Sequence, residues 1–266
     1  TGSSALFAAI IRNVDAEIAK WLGWYAGSIF NDFKFFFDSM NINILLEETI
    51  HTKYPPIEMC MAIQQHMAPR VIKIQQFVGQ PIEVYNSIIA GCKQSVPMTR
   101  VYFLRGVPEV NKSGPNPDEV VGKSRLYVDD CAQSAKDPIA SRFYNKLGNS
   151  FMKFNKLRLR LKLGLSDKGV VCCSDFPIAK LLQKEININW KVFYKISRDA
   201  RDIGVSYTAG VKRPTTELIK KFGAKVRNKK ILALSKISRK LLAALDFRPL
   251  SGDILPVVSL CPFSRS

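Results

Sequence analysis

The sequence is poor in the residues that zinc and redox sites need. It has two histidines, His51 and His66, both set in apolar helical spacing, and none of its six cysteines belongs to a C-x-x-C pair. Cys172 and Cys173 are adjacent, and neighbouring thiols rarely share a disulfide. A zinc knuckle or ribbon is therefore excluded, and the cysteine usage reads as a reduced, intracellular protein, nuclear or cytoplasmic. Any metal would have to be held by carboxylates, which favours Mg²⁺ or Mn²⁺ over zinc. Glycine-rich phosphate loops are missing as well. With no G-x-G-x-x-G and no Walker A sequence, a dinucleotide fold and a P-loop fold are disfavoured. No apolar run approaches the roughly 18 residues of a spanning helix. The longest near the N-terminus is Ala5 to Ile11, and no basic segment precedes it. The expectation is no membrane partner and no secretory signal.

What is present is enough to fold. Of 266 residues, 47% are hydrophobic, which excludes disorder and fits one large domain or two small ones. The first residue is Thr1, not Met, so the chain reads as a fragment. Charge is uneven. Residues 1–130 carry 12 basic and 13 acidic side chains, whereas 131–266 carry 28 basic and 9 acidic, so the second half owns the whole excess of the net +18. Such asymmetry points to a polyanion, most often nucleic acid, and a solvated basic face is the bland alternative.

Apolar positions Leu6, Ile10, Val14, Ile18, Trp21 and Tyr25 predict a helical stripe, and 28–33 predict an extended run. Asn41 is placed to cap a helix reaching Thr52, and a further helix runs from about Ile57 to before Pro69. Val71–Val78 reads as a strand, 86–106 as a turn and helix, and 111–123 as a loop. Arg125–Val128 and Cys131–Ala135 form a hairpin joined across Asp129-Asp130. Pro138 opens a long helix with Phe143, Leu147, Phe151, Phe154, Leu157 and Leu161 inward, ending at Gly164. Then come a strand at 170–173, a helix at 177–186, strands at 188–196 and 203–207, and a basic helix from Pro214 to about Ala244. The fold class expected is α+β, a small sheet with helices on one face.

Two acids at a hairpin tip raise each other's pKa, a cost that a divalent cation removes. That puts Asp129 and Asp130 forward as ligands, against the plain reading of a solvated turn. Asp32 ends an apolar run and is followed by Phe33, Phe35, Phe36 and Phe37, an aromatic setting in which a carboxylate needs a partner. Asp38 reads as an ordinary helix-entry residue.

These residues carry a resemblance. Asp32-Phe33-Lys34-Phe35-Phe36-Phe37-Asp38, Gly91-Cys92-Lys93-Gln94-Ser95-Val96-Pro97, Tyr127-Val128-Asp129-Asp130, Leu163-Gly164-Leu165-Ser166-Asp167-Lys168 and Asp202-Ile203-Gly204-Val205 follow one another in the order and spacing of the palm motifs of reverse transcriptases. The ordered set spans roughly 5–240 and resembles the retroelement type. Ser95 replaces the family's usual Gly, Lys34 stands one place early, and the fingers segment that precedes the first motif is not seen. The resemblance implies an RNA-directed DNA polymerase palm over 1–210, with its hairpin at 125–135, a basic helical thumb-like segment at 211–245, and a tail of uncertain structure at 246–266.

It further implies that Asp32 and Asp129 hold two Mg²⁺ (or Mn²⁺) ions, with Asp130 assisting, for transfer of a nucleotide to a primer 3′-hydroxyl. Lys168 would neutralise or protonate the leaving pyrophosphate, against an equal expectation of a surface lysine. Phe33, Phe37, Gln94 and Tyr127 would contact substrate: Phe37 as the ring that excludes a 2′-hydroxyl, Gln94 at the nascent pair or template, Tyr127 at the primer end. The partners implied are an RNA template, a DNA primer, deoxynucleoside triphosphates, and the missing fingers or other element-encoded domains. Lys220, Lys221, Lys225, Arg227, Lys229 and Lys230, opposed in 212–240 only by Glu217, would neutralise phosphates. Two alternatives stand beside this: a catalytically inactive nucleic-acid-binding remnant, and an RNA-templated RNA polymerase, which would carry a smaller or polar group in place of Phe37.

Overall fold

The computed structural model describes residues 5–114, 116, 120–202 and 205–211, all within one compact unit, Thr1–Arg213. The expected basic helix with Lys220, Lys221, Lys225, Arg227, Lys229 and Lys230, the tail, and Ile203-Gly204 lie outside the described residues. Among the described residues the helices are α1 (Ala5–Trp21), α2 (Phe36–Ser39), α3 (Ile42–Thr52), α4 (Pro56–Met67), α5 (Ser95–Leu104), α6 (Gly106–Asn111), α7 (Ala140–Arg160) and α8 (Phe176–Trp190). The strands are β1 (Tyr25–Asp32), β2 (Lys73–Ile74), β3 (Phe77–Val78), β4 (Lys123–Tyr127), β5 (Asp130–Asp137), β6 (Val170–Cys173), β7 (Lys195–Ile196), β8 (Ala200–Asp202) and β9 (Val205–Tyr207).

The class is mixed α and β, consistent with α+β. A five-stranded sheet runs in the order β4-β5-β1-β6-β7, antiparallel except for the parallel β6–β7 pair. Strand side chains alternate between faces. One face of the sheet gives Ile29 and Val171 to a core with Phe143, Leu147 and Phe151 of α7 and Ile178, Leu182 and Ile186 of α8. The opposite face gives Ala26 and Cys172 to a second core with Ala16 and Ala19 of α1 and Tyr207 of β9. Helices therefore cover both faces, not one. A third core joins α2 to α6 with the inner side of α7, around Phe36, Leu45, Tyr102, Phe103 and Phe154. Tyr102 ties it together: its hydroxyl donates to the Leu161 carbonyl at 2.7 Å. Burial pushes its pKa up to about 12, so it stays a neutral donor.

The structure departs from the expected elements where periodicity misleads. Helix α1 forms, but it buries the small face Ala9, Ala16 and Ala19, and leaves Ile10, Val14, Ile18 and Trp21 between 44% and 86% exposed. Ala16 and Ala19 pack against Ala26 and Tyr207, and Arg12 and Asn13 are buried along with them. The expected strand at 71–78 is a short hairpin, β2–β3, turned at Gln75 with φ 54°. The expected strand at 188–196 is divided: α8 continues to Trp190, Lys191 is left-handed at φ 51°, and only Lys195–Ile196 pair. Asn41 caps α3 as expected, its side chain accepting from the Ile44 N–H at 3.2 Å.

Candidate active site

The β4–β5 hairpin turns one residue earlier than expected. Tyr127 pairs with Asp130, which leaves Val128 and Asp129 as its two central residues. Val128 has φ 56°, the left-handed region that the first central position of a mirror-image hairpin turn requires. A β-branched residue adopts it only under strain, of order 1–3 kcal/mol. Asp130 is consequently not at the tip but is the first residue of β5, directly opposite Asp32 at the end of β1. Residues facing each other across such a ladder share one side of the sheet, with Cβ atoms about 4.5–5.5 Å apart. Two carboxylates so placed repel unless a cation stands between or beside them.

The segment after α7 supplies one such cation. Lys34 N–H donates to the Gly164 carbonyl at 2.9 Å, and Ser166 N–H to the Asp32 carbonyl at 2.9 Å. Phe33 and Leu165 form an antiparallel bridge between these bonds. The docked loop brings the Ser166 hydroxyl to donate to Asp32 Oδ2 at 2.8 Å. It also sets Lys168 Nζ 3.8 Å from the same oxygen. Asp32, Asp130 and Lys168 line a cleft of 280 Å³ together with Arg12 of α1, Phe30 and Val170. Arg12 is only 4% exposed.

Behind the carboxylates, on the other face of the sheet, a buried polar network fixes the register. The Asn31 amide donates to the Cys131 carbonyl at 3.2 Å and to the Gln133 side-chain oxygen at 2.6 Å. The Tyr194 hydroxyl donates to the Asn31 side chain at 2.5 Å. Burial drives the Tyr194 pKa upward and so keeps it a donor. The Cys131 thiol, also buried, is likewise pushed up and accepts from the Gln133 amide at 3.2 Å. Because Asn31 bonds to β5 directly beside the Asp32–Asp130 pair, a slip of one residue would break the network and separate the two acids.

Of the residues expected at a site, Asp32, Asp130 and Lys168 come together. Asp129 is half-buried in the turn and does not line the cleft. Phe33 is corrected by its burial: at 5% exposure its ring packs between Phe36, Phe103 and Phe154, and only its backbone reaches the site. Phe37 is half-buried, edge-on to Phe36 with ring centroids 5.1 Å apart. Tyr127 is 40% exposed on β4, beside Asp130 in the ladder. Gln94 precedes α5, outside the cleft, and its side-chain oxygen is buried without a hydrogen-bond partner among the described residues. Sequence reasoning missed Arg12, whose signal was a polar residue inside the Ala9, Ala16, Ala19 row. It also quoted Ser166 without giving it a role.

Among the described residues no group of three or more His, Cys, Asp and Glu side chains is arranged to hold a metal ion. No helix among them is long and apolar enough to cross a membrane, and their five cysteines are free thiols. In comparison with known proteins, no family model matches the chain, and no curated protein matches it.

Proposed function

We propose that the chain is the palm of an RNA-directed DNA polymerase of the reverse-transcriptase type, transferring a nucleotide to a primer 3′-hydroxyl. The observation that carries the reading is the direct pairing of Asp32 with Asp130 across β1 and β5, at one end of a shared cleft. The two acids are 98 residues apart in sequence and belong to separate motifs, so their meeting is a consequence of topology and not of local composition.

The donor set suits Mg²⁺ or Mn²⁺, hard cations that need only one or two carboxylates and complete their shell with water and phosphate oxygens. Asp32 and Asp130 would hold it, with Asp129 one residue away in the turn. When bound, such an ion lowers the pKa of a coordinated hydroxyl and stabilises the charge on a leaving phosphate. The chain's own residues do the rest. The Ser166 hydroxyl and the loop backbone hold Asp32 in position. Lys168, with its side chain 78% exposed, is free to swing from Asp32 to an incoming phosphate. Its pairing with Asp32 is worth little at that exposure, so moving it costs little.

Primer extension on an RNA template with Mg²⁺ tests the reading. Asp32→Asn and Asp130→Asn should each lower kcat by about a hundredfold or more, with an unchanged melting temperature. Incorporation that persists undiminished in both variants would remove these residues from the chemistry. A second reading, a binding remnant without catalysis, is favoured by one observation: Asp129 stays outside the cleft. It is recognised by salt-dependent binding of nucleic acid with no incorporation, in the native chain as in both variants.

A further inference from the structure

Helix α1 turns its small residues to the sheet and its large ones to water. Phe7, Ile10, Val14, Ile18 and Trp21 are exposed by 54%, 44%, 46%, 47% and 86%, and Leu22 beside them by 49%. At about 3.6 residues per turn these positions form one row along the helix. Side chains of about 150–250 Å² that are roughly half exposed offer on the order of 100 Å² each. Six of them therefore supply most of the about 800 Å² that each partner of a standard interface buries. Apolar rows of this extent mark a surface that pairs with something.

The row reads the same in both directions. Val14 is its middle, isoleucines stand four residues to either side at Ile10 and Ile18, and aromatic residues stand seven to either side at Phe7 and Trp21. Such a row fits a second copy of itself turned antiparallel about a twofold axis beside Val14. Val14 then meets Val14 of the other copy, Ile18 meets Ile10, and Trp21 meets Phe7, each of the last two contacts being made twice. That is the self-complementarity a twofold interface requires. The inner members Ile10, Val14 and Ile18 suffice to form the contact. Charge favours the same orientation. The row itself holds no charged side chain, and Glu17 and Lys20 are exposed at its flank. In the antiparallel pair the two Glu17 residues, three positions from the axis on each helix, stand about 9 Å apart along it at the helical rise per residue. A parallel pair would set Glu17 beside Glu17 and Lys20 beside Lys20, and would align the two helix dipoles.

We propose that α1 is the interface of a twofold-symmetric dimer of this chain, in which two copies of the helix pack antiparallel through Ile10, Val14 and Ile18. The pairing does not depend on the polymerase reading, because the face of α1 opposite the row is the one that packs on Ala26 and Tyr207. A chain inactive in primer extension would still pair.

Sedimentation velocity of the full chain over a concentration series tests it, and the expected result is a reversible equilibrium of monomer and dimer. Val14→Asp sets two carboxylates face to face at the axis and should raise the dissociation constant about a hundredfold or more, with native circular dichroism. Phe77→Asp, in the exposed β2–β3 hairpin, should leave the dissociation constant unchanged. Orientation is read by oxidative crosslinking in a chain with Cys60, Cys92 and Cys261 replaced by Ser. Helices about 8–10 Å apart bring residues on the axis within the Cα separation of a disulfide, roughly 4.4–6.8 Å. Val14→Cys should therefore crosslink to a dimer. Ile18→Cys alone should crosslink poorly, and an equal mixture of Ile10→Cys and Ile18→Cys chains should crosslink well. These variants keep the test intact should Val14→Asp disturb α1. A chain monomeric at every concentration would give the row to another occupant and overturn the proposal. So would a dimer that survives Val14→Asp, a dimer lost in Phe77→Asp, or crosslinking of Ile18→Cys alone equal to that of Val14→Cys.

Discussion

His66 shows how a single side chain can make the fold sensitive to pH. It is fully buried at the end of α4, its Nδ1 accepts the Ile89 N–H at 2.8 Å, and its Nε2 is buried without a hydrogen-bond partner among the described residues. A protonated imidazole has no acceptor nitrogen, so protonation would break the bond to Ile89. Burial, and then the charge of Arg70, hold its pKa below the usual histidine value. The unfolded chain therefore binds the proton more readily, and stability rises with pH through the window between the depressed folded pKa and about 6.5, where it levels off. Each unit of depression is worth about 1.4 kcal/mol. Urea midpoints compared at about pH 5 and 7.5 should show this rise, and His66→Asn should flatten it. An equal rise in the variant would assign the effect to another group. None of this was legible in the sequence, where His66 appeared only as a residue in an apolar helical pattern. Burial of a lone histidine depends on what folds over it, and here that is the backbone at Ile88–Ile89.

At the scale of elements, Gly27 decides how closely α7 can lie on the sheet. A Cβ there would stand 2.7 Å from Cys173 Sγ, 2.9 Å from Phe143 Cζ and 3.0 Å from the Cys172 carbonyl. Two of these neighbours are themselves core atoms fixed by β6 and α7, so the strain cannot be relieved by a flexible tip. Gly27→Ala should cost about 1–3 kcal/mol, lowering the urea midpoint with an unchanged slope. No loss of stability would mean that α7 slides freely on β1. The elements readable from sequence were those whose period and punctuation agreed. Helix α7 buries Phe143, Leu147, Phe151, Phe154 and Leu157 as its spacing required, with Leu161 buried at its C-terminal cap, and Asn41 caps α3. Helix α1 was readable as a helix but not in its orientation, because the face it buries is chosen by what it packs on, Ala26 and Tyr207, and not by its own apolar spacing. The acids were readable as acids. Which two of the three share a face was not, because the hairpin register depends on Val128 accepting a left-handed turn.

For the whole molecule, the uneven charge is the property with the widest reach. Residues 1–211 carry 27 basic and 19 acidic side chains, while 212–266 carry 13 basic and 3 acidic. Under the proposed function the two parts contribute differently. Lys168 would act at one phosphate beside the acids, whereas Lys220, Lys221 and Lys225 would act as unspecific phosphate contacts. Contacts of the second kind release counterions, and each contributes about −0.9 to the slope of log K against log salt on duplex, about −0.7 on single strands. Replacing Lys220, Lys221 and Lys225 together with Gln should thus make the slope on duplex shallower by about 2–3, uniformly across sequences, as fluorescence anisotropy at several salt concentrations would show. Asp32→Asn with Asp130→Asn should leave that slope unchanged, because it removes negative charge at one cleft and no phosphate contact. The two sets of variants therefore separate gripping from chemistry. If the lysine triple variant kept the full slope, the phosphate contacts would have to come from other cations of the chain, with Arg227, Lys229 and Lys230 the next to replace.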